Sequence, residues 1–594
     1  MSFQLIAVVR FFLKPFRRLA LSILAVTVLA SLFESLSVAA FFPLFQSLLN
    51  ASSPGASAAL PQVLAAWARR LPLHDPLYAS AALVGLIMAV KFGLVMLRET
   101  LIAHGAGRVL HAVKSQLIER YTASSYAFFL NSKQGTLLHN CVTAPQQVSI
   151  LVLRAPQLLA ELLKVVAIVL MLFAMWPAAT GALALLVLLY HGLVHALTRQ
   201  LSYLSGKGRA SANEEQLAVA NEFFSGIRQI LTFRTAGHWL GRFTQASRLY
   251  STLYTKDLTW KSLAYYATEI IAVVLLAGAV IALKLASPTS LQANLPALGV
   301  FALAVLRLLP SVSNIGRQRM EMLGALSDAE RVHAALTEPP ARAAEGPRPF
   351  AALRSSIVFA DVSFAHAGRP ALLNRLNLAI EKGRVTAIVG ASGAGKSTMV
   401  NLLLGLFEPT EGRILIDEVP LSAYRLETWL GRIGFVSQEP FISHATVADN
   451  IRFGRRGHAD EDVVRAARIA HAHAFITELP QGYDTVVGER GMKLSGGQQQ
   501  RIAIARAMLG HPDILIFDEA TSHLDTVAEQ QVQAAIEEIA KDHTVILVAH
   551  RLSTVRSAER IVVLEEGRIV EQGSHEELLS EQGRYFHLVA SGAG

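Results

Sequence analysis

The sequence predicts two joined parts, an all-α membrane domain of six helices followed by an α/β phosphate-loop domain. Three observations carry this. The composition is that of a membrane protein, with 52% hydrophobic and only 17% charged residues, where soluble domains carry about 25% charged. Six apolar stretches in the first 311 residues are each long enough to cross a bilayer. A glycine-rich loop of phosphate-binding spacing lies in the second half. At 594 residues the chain exceeds one domain. A disordered chain, a fibre and an ordinary cytosolic enzyme are excluded, and the single Cys141 excludes an intrachain disulfide framework or a Cys-rich metal site.

The formal charge of +9 divides unevenly. Residues 1–340 hold 28 Lys+Arg against 14 Asp+Glu, and residues 341–594 hold 26 against 31, so +14 is joined to −5. The apolar half is the basic half. That suits basic loops beside a membrane and argues against a nucleic-acid partner.

A helical span needs about 20 apolar residues. The stretches are Leu19–Phe42, Tyr78–Leu97, Gln157–Met175, Ala178–Leu197, Leu263–Ala286 and Leu295–Ser311. The first is too long for a cleaved signal and is followed by five more. Basic residues mark one side: Arg10, Lys14, Arg17 and Arg18 before span 1, and long basic connections after spans 2 and 4. The opposite connections at Trp176–Pro177 and Ser287–Asn294 carry no charge. Both termini are therefore expected in the cytoplasm. The two basic connections are patterned as helices that extend the spans and turn near Asn131–Gly135 and Ser225–Gly237. Such tips could transmit force from a soluble domain, or be solvated loops.

In the first outer loop, QVLAAWARRL at Gln62–Leu71 places Val63, Leu64, Trp67 and Leu71 on one helical face. That face could lie in the outer interface or cap the bundle. Within the spans stand Lys91, Lys164 and Arg307 against Glu34, Glu161 and Glu269. Charges in a bilayer are costly, so they either pair with each other or line a polar cavity for a charged head group. The substrate candidates are Arg307, Lys91, Lys164 and Glu34, with Arg307 first because apolar residues flank it and Pro310 disturbs its helix.

A Pro/Ala-rich linker, 337–350, separates the membrane domain 1–336 from a soluble domain 351–594. Two β-like runs, SIVFADVSF at 356–364 and RILIDEVPL at 413–421, flank an apolar strand at 384–390. That strand ends in GASGAGKST, comprising Gly390, Ala391, Ser392, Gly393, Ala394, Gly395, Lys396, Ser397 and Thr398, and the helix-forming run MVNLLLGL follows. The glycines let backbone N–H groups curl around phosphate, and the helix N-terminus favours negative charge. Lys396 is placed for the β/γ-phosphates and Ser397 for Mg²⁺. A second apolar strand, ILIFDEA at 514–520, ends in Asp518, a Mg²⁺ ligand candidate, and Glu519, a general-base candidate. A third, TVILVAH, ends in His550, placed for the γ-phosphate because ligands gather at the C-termini of parallel strands. LSGGQ at 494–498 offers a second anion site, from Ser495, Gly496, Gly497 and Gln498. One chain already holds its phosphate loop, so this second site calls for the phosphate of a partner chain.

These motifs, with Gln438 in FVSQEP, TVVGERG at 485–491 and SHLD at 522–525, resemble in kind and order the ATP-binding cassette of ABC transporters over residues 341–594. Six spans ahead of one cassette resemble the exporter-type half-transporter. The resemblance implies antiparallel β and helical subdomains, ATP and Mg²⁺ as cofactors, and a second identical half-transporter as partner. It gives Gln438 a catalytic and Mg²⁺-sensing role, makes Asp525 a contact between the two ATP sites, and makes the two tips coupling helices. It implies an ATPase coupled to transport, multi-pass in a bacterial inner membrane. His366 in VSFAH stands where the family carries an adenine-stacking Tyr, and His523 replaces the usual Ala of SALD.

SLFESLSVAAFFPLF in span 1, FALAVLRLLPSVSNI in span 6 and the outer-loop helix resemble the subgroup containing bacterial lipid-linked oligosaccharide flippases. The expected cargo is therefore a membrane lipid or lipid-linked glycan. A multidrug or hydrophobic-compound exporter, a peptide exporter, and an ATP-gated channel or regulator are the alternatives.

Overall fold

The computed structural model describes residues 3–48, 59–175, 177–286, 295–338, 346–366, 368–455, 457–488, 491, 494–520, 526–549 and 555–590. Over most of residues 182–203 and 260–298 it describes the helical path alone. The chain divides into two units by internal contacts: Met1–Ala123 with Leu130–Pro340, and Ser124–Phe129 with Ala341–Gly594.

The first unit is helical. Phe3–Leu13 meets a 3₁₀ turn, Lys14–Phe16, at Pro15, and Arg17–Ala39 follows. Five longer helices succeed it among the described residues: Pro76–Thr122, Ala144–Met175, Pro177–Ser225, Ala236–Ala286 and Leu295–Thr337. The 47-residue Pro76–Thr122 helix is about 70 Å long, against a hydrocarbon core of about 30 Å, so much of it extends past the span. Asp75 starts it, its carboxylate accepting from the Leu77 N–H at 2.8 Å, with Pro76 at the first helical position. Short helices Tyr126–Asn131 and Gln134–Leu138 sit at one turn and Ile227–Thr232 at the other.

Among the described residues, four stretches are long and apolar enough to cross a membrane: Leu5–Leu48, Pro76–Thr122, Gln134–Ala174 and Gly299–Thr337. The expected spans 178–197 and 263–286 fall on helices whose side chains there lie mostly outside the described residues. Two apolar clusters hold the unit. Phe42, Leu83, Ile87, Ile168, Leu172 and Val305 form one. Leu5, Val109, Leu117, Leu151, Met322 and Leu326 form the other. The outer-loop helix Ala59–Arg69 joins the first cluster through Leu64 and Ala68, which are buried, while Val63 and Trp67 stay exposed. The expected single face of Val63, Leu64, Trp67 and Leu71 is thus split: residue 64 faces the bundle, and its neighbours at 63 and 67 fall on the rim.

The second unit is α/β. Strands β1 (Ser356–Ala365), β2 (Ala371–Glu381), β4 (Glu411–Ile416) and β5 (Val419–Pro420) form an antiparallel sheet in the order β2-β1-β4-β5. A second sheet has the order β10-β9-β3-β8-β7-β6. Its members are β3 (Val385–Gly390), β6 (Ile433–Val436), β7 (Ile514–Asp518), β8 (Thr544–Val548), β9 (Arg560–Glu565) and β10 (Arg568–Gly573). All but β10 run parallel. β3, β7 and β8 are buried along almost their whole length and mostly apolar, because both faces are covered. Short helices 447–452, 460–469 and 473–478 pack with Gly496–Met508 beside the second sheet.

The run RILIDEVPL is not one strand. It folds back at Asp417 and Glu418, both left-handed with φ of 48° and 69°, pairing Ile416 with Val419. A two-residue hairpin turn of type I′ has both central residues at positive φ, and Asp accepts that more readily than most. The Asp417 carboxylate accepts from the Arg354, Ser355 and Ser356 amides at 2.8, 2.6 and 3.2 Å, tying the segment leading into β1 to this turn.

Candidate functional site

Strand register gathers the predicted nucleotide residues at one end of the parallel sheet. Val548 is level with both Ile388 and Asp518. The phosphate loop leaves β3 just beyond Ile388, and Asp518 is the last residue of β7. Val436 is level with Phe517, so Gln438, exposed two residues beyond β6, belongs to the same end.

The loop is built from backbone. Gly390, Gly393 and Gly395 have φ of 155°, 83° and 106°. A Cβ on Gly390 would lie 2.2 Å from the Leu564 carbonyl, and one on Gly395 2.6 Å from Leu373 Cδ2. Position 390 needs glycine on grounds of space, and position 395 on grounds of conformation. Ala391, Ser392, Gly393 and Ser397 are exposed, while Ala394, Lys396 and Thr398 are buried. The helix Lys396–Leu403 starts from residue 395, which aims its free N–H groups at the loop. Lys396 folds over the loop: its Nζ donates to the carbonyls of Gly390 at 2.9 Å and Ala391 at 3.2 Å. Burial lowers its pKa, against the opposing pull of the Glu519 and Asp518 carboxylates.

Asp518 shows the reverse. Burial, then the Glu519 charge, pushes its carboxyl above the usual carboxylate range, while a hydrogen bond from Ser397 and the charge of Lys396 pull the other way. Its Oδ1 is buried with no hydrogen-bond partner among the described residues. A buried, unfilled carboxylate oxygen beside a hydroxyl and a second carboxylate is an oxygen donor set that a hard cation completes, so these residues fit Mg²⁺. Glu519 sits at φ 50°, a left-handed conformation costly for a non-glycine residue, and is held there by its N–H donating to the Val548 carbonyl at 2.9 Å. The turn breaks strand geometry, so Asp518 and Glu519 do not simply alternate as strand neighbours would.

His366, just past β1, is half-buried. Its ring meets Phe364 and Phe407 edge-to-face at 5.0 and 5.4 Å. Phe364 pairs in register with Leu373, which touches Gly395, so the ring lies at the loop end of β1. In the same unit Tyr126 lies 5.8 Å from Phe407.

Ser495 caps the helix Gly496–Met508. Its Oγ accepts from the Gln498 N–H at 3.3 Å, and Gln498 Oε1 accepts from the Ser495 N–H at 2.9 Å. Gly496 and Gly497 open this helix, and Gly497 is buried. Sequence reasoning passed over Gln500, which is buried and donates to the Ser437 carbonyl at 3.2 Å, joining this helix to the Gln438 loop. The run QQQ after LSGG was the available signal: three amides on a helix entering the core need partners. His550, Asp525 and His523 lie outside the described residues, as do residues 489 and 490 of TVVGERG.

In the first unit the structure brings three of the four substrate candidates together. Lys91 Nζ lies 2.7 Å from Glu34 Oε2, and Arg307 3.6 Å from Glu34 Oε1. One carboxylate against two cations leaves one positive charge, and it falls to Arg307, whose side chain is 37% exposed against 7% for Glu34. Lys164 instead pairs along its own helix with Glu161 at 3.7 Å. Glu269 lies among the side chains that are not described.

Comparison with known proteins gives a consistent result. The family described as ABC transporter matches residues 373–522, and the ABC transporter transmembrane region matches 22–304. The chain is 32% identical to the heterocyst differentiation ATP-binding protein HepA of Nostoc sp., over 97% of this chain and 94% of that protein. It is 34% identical to an ATP-dependent lipid A-core flippase of Syntrophus aciditrophicus, over 85% and 84% of the two chains. A solved bacterial Atm1-family ABC exporter with ATP bound superposes with a TM-score of 0.81 at 26% identity, covering 97% of this chain and 99% of the other.

Proposed function

Because the chain belongs to the ABC transporter family, with a membrane domain and one cassette, we propose that it moves a lipid-linked oligosaccharide or related glycolipid across a bacterial inner membrane as a homodimer. It is an exporter-type ATPase coupled to transport. The observation supporting an anionic cargo is the Glu34–Lys91–Arg307 cluster, with its one uncancelled, half-exposed positive charge. The relatives called lipid A-core flippases support a lipid cargo.

In this reading both termini are cytoplasmic and ATP is held by the Gly390–Thr398 loop. Ser397, Asp518 and Gln438 would hold Mg²⁺, which supplies neutralisation of phosphate charge. Lys396 moves from its own loop's carbonyls to phosphate oxygens. Glu519, held at its turn, takes the proton of the attacking water, and His550 contacts the γ-phosphate. His366 stacks on adenine. Ser495 and the glycines after it close over the ATP of the partner, with Asp525 at the same junction, so that ATP joins two cassettes and hydrolysis releases them.

Reconstitution in liposomes tests this. A fluorescent lipid-linked oligosaccharide should move only with hydrolysable ATP. Movement without ATP favours a channel, and a response to amphipathic drugs alone favours a multidrug exporter. Arg307→Ala should lower transport more than basal ATP hydrolysis; equal losses would remove residue 307 from the cargo path.

A further inference from the structure

A cleft of about 260 Å³ lies in the first unit between the helices Arg17–Ala39, Pro76–Thr122 and Ala144–Met175. Its walls are apolar except for Thr27, and they include Ile23, Leu24, Gly105, Val109, Ala155 and Leu159. Leu24 and Leu159 line the cleft and are also 42% and 39% exposed, so its mouth is apolar. An apolar mouth on a membrane helix faces hydrocarbon. Along the first helix the cleft runs from Leu19 to Thr27, about 12 Å. Its volume falls below the roughly 300–1,000 Å³ of pockets that take whole drug-sized ligands. It suits a single chain.

The end of the cleft has a different chemistry. Leu13, Phe16 and Leu19 close it. Interleaved with them are Lys14, Arg17 and Arg18, all exposed and without a carboxylate partner among the described residues. Arg108, next to the cleft residue Val109, is exposed and unpaired in the same sense. Elsewhere in this unit cations do find carboxylates: Arg154 pairs with Glu321 at 2.5 Å, and Arg331 with Glu214 at 2.9 Å. Four unpaired cations around the end of an apolar cleft complement an anionic head group carrying a hydrocarbon tail.

We propose that this cleft holds one acyl chain of an anionic phospholipid of the bilayer, with the phosphate at Lys14, Arg17, Arg18 and Arg108. The lipid is a resident of the leaflet on the basic side and not the transported molecule. Glu34, Lys91 and Arg307 do not line the cleft, so the proposal stands or falls apart from the cargo assignment.

The test uses the full chain in phosphatidylcholine vesicles carrying a trace of phosphatidylglycerol or phosphatidylcholine with a photoreactive diazirine tail. Cross-linked peptides are mapped by mass spectrometry. The phosphatidylglycerol probe should concentrate on residues 13–27, 102–109 and 152–159, and the phosphatidylcholine probe should label them weakly. Lys14→Gln with Arg18→Gln should reduce that preference about fivefold for each cation removed. Ala155→Trp, or Ala20→Phe if that variant does not fold, should fill the cleft and remove labelling by both probes. Labelling spread evenly over the exposed faces of the spans, or unchanged in these variants, would overturn the proposal. Displacement of the probe by excess lipid-linked oligosaccharide would also overturn it, by assigning the cleft to the cargo.

Discussion

The two units treat buried charge in opposite ways. In the membrane unit, carboxylates inside the helices meet cations: Glu34 has Lys91 and Arg307, and Glu161 has Lys164. In the cassette, Asp518 and Glu519 stand side by side, burial and then the Glu519 charge hold the Asp518 carboxyl above the usual carboxylate range, and Lys396 leans on carbonyls. A lipid-facing domain has no water to cover an unmatched charge, so pairing is the economical solution. A nucleotide site is completed by its ligand, so it is left incomplete in the protein. The contrast separates charges that hold a fold from charges that wait for a substrate.

The contrast is open to four tests. The largest effect is expected for Glu519→Gln, which removes the general base. Phosphate release should fall about 10²–10⁴-fold while filter-bound ATP is retained, and full turnover would take the residue out of that role. Next is Glu34→Gln, which strands Lys91 and Arg307. Breaking a buried pair costs about 3–5 kcal/mol, seen as a lower thermal unfolding midpoint in detergent. Lys164→Met, which breaks a partly exposed pair within one helix, should cost no more than about 1 kcal/mol. Equal losses would mean that the cluster at residue 34 is no special anchor.

Gly395→Ala forces a side chain onto a φ of 106° and against Leu373. If the loop relaxes away from its phosphate-binding shape, strain of about 1–3 kcal/mol should weaken ATP binding by about 5- to 150-fold, measured by titration with a fluorescent ATP analogue. The smallest effect concerns Asp417. Burial raises its carboxyl pKa, but hydrogen bonds from Ser355, Arg354 and Ser356 outweigh this and hold it below the ordinary value. Its folded pKa is depressed, so its contribution is fully present above the unfolded value of about 3.9 and is lost as pH falls through the folded one. Asp417→Asn should therefore lower the unfolding midpoint at pH 7, with the gap to the unaltered chain closing in acid. A gap that persists below the folded pKa would mean that the turn, and not the charge, is responsible.

Much of the cassette was legible because its chemistry is local. The phosphate loop, the strand before it and the helix after it are contiguous, and the spacing of Gly390, Gly395 and Lys396 states the geometry. Legibility ended where conformation depends on distant partners. RILIDEVPL reads as one strand by composition, yet Asp417 and Glu418 turn left-handed because the amides of residues 354–356 converge on the Asp417 carboxylate. Glu519 reads as the next residue of a strand, but its amide is claimed by Val548. Gln500 reads as one of three glutamines, and only the packed helix shows that it reaches Ser437. In the membrane unit four of the expected spans overlap helices long and apolar enough to cross a membrane, whereas hydropathy did not give the partner of each charge.

By itself the sequence determined the division into an apolar basic half and a cassette, the phosphate loop, and the pool of charges the spans must accommodate. These rest on composition and on contacts between near neighbours along the chain. Tertiary structure alone decided that Glu34 would be shared by Lys91 and Arg307, that Lys164 would stay with its own helix, and that Asp518 Oδ1 would be left open. An ion pair or an unfilled oxygen depends on which side chains meet across helices and strands, and that meeting exists only once the chain is packed.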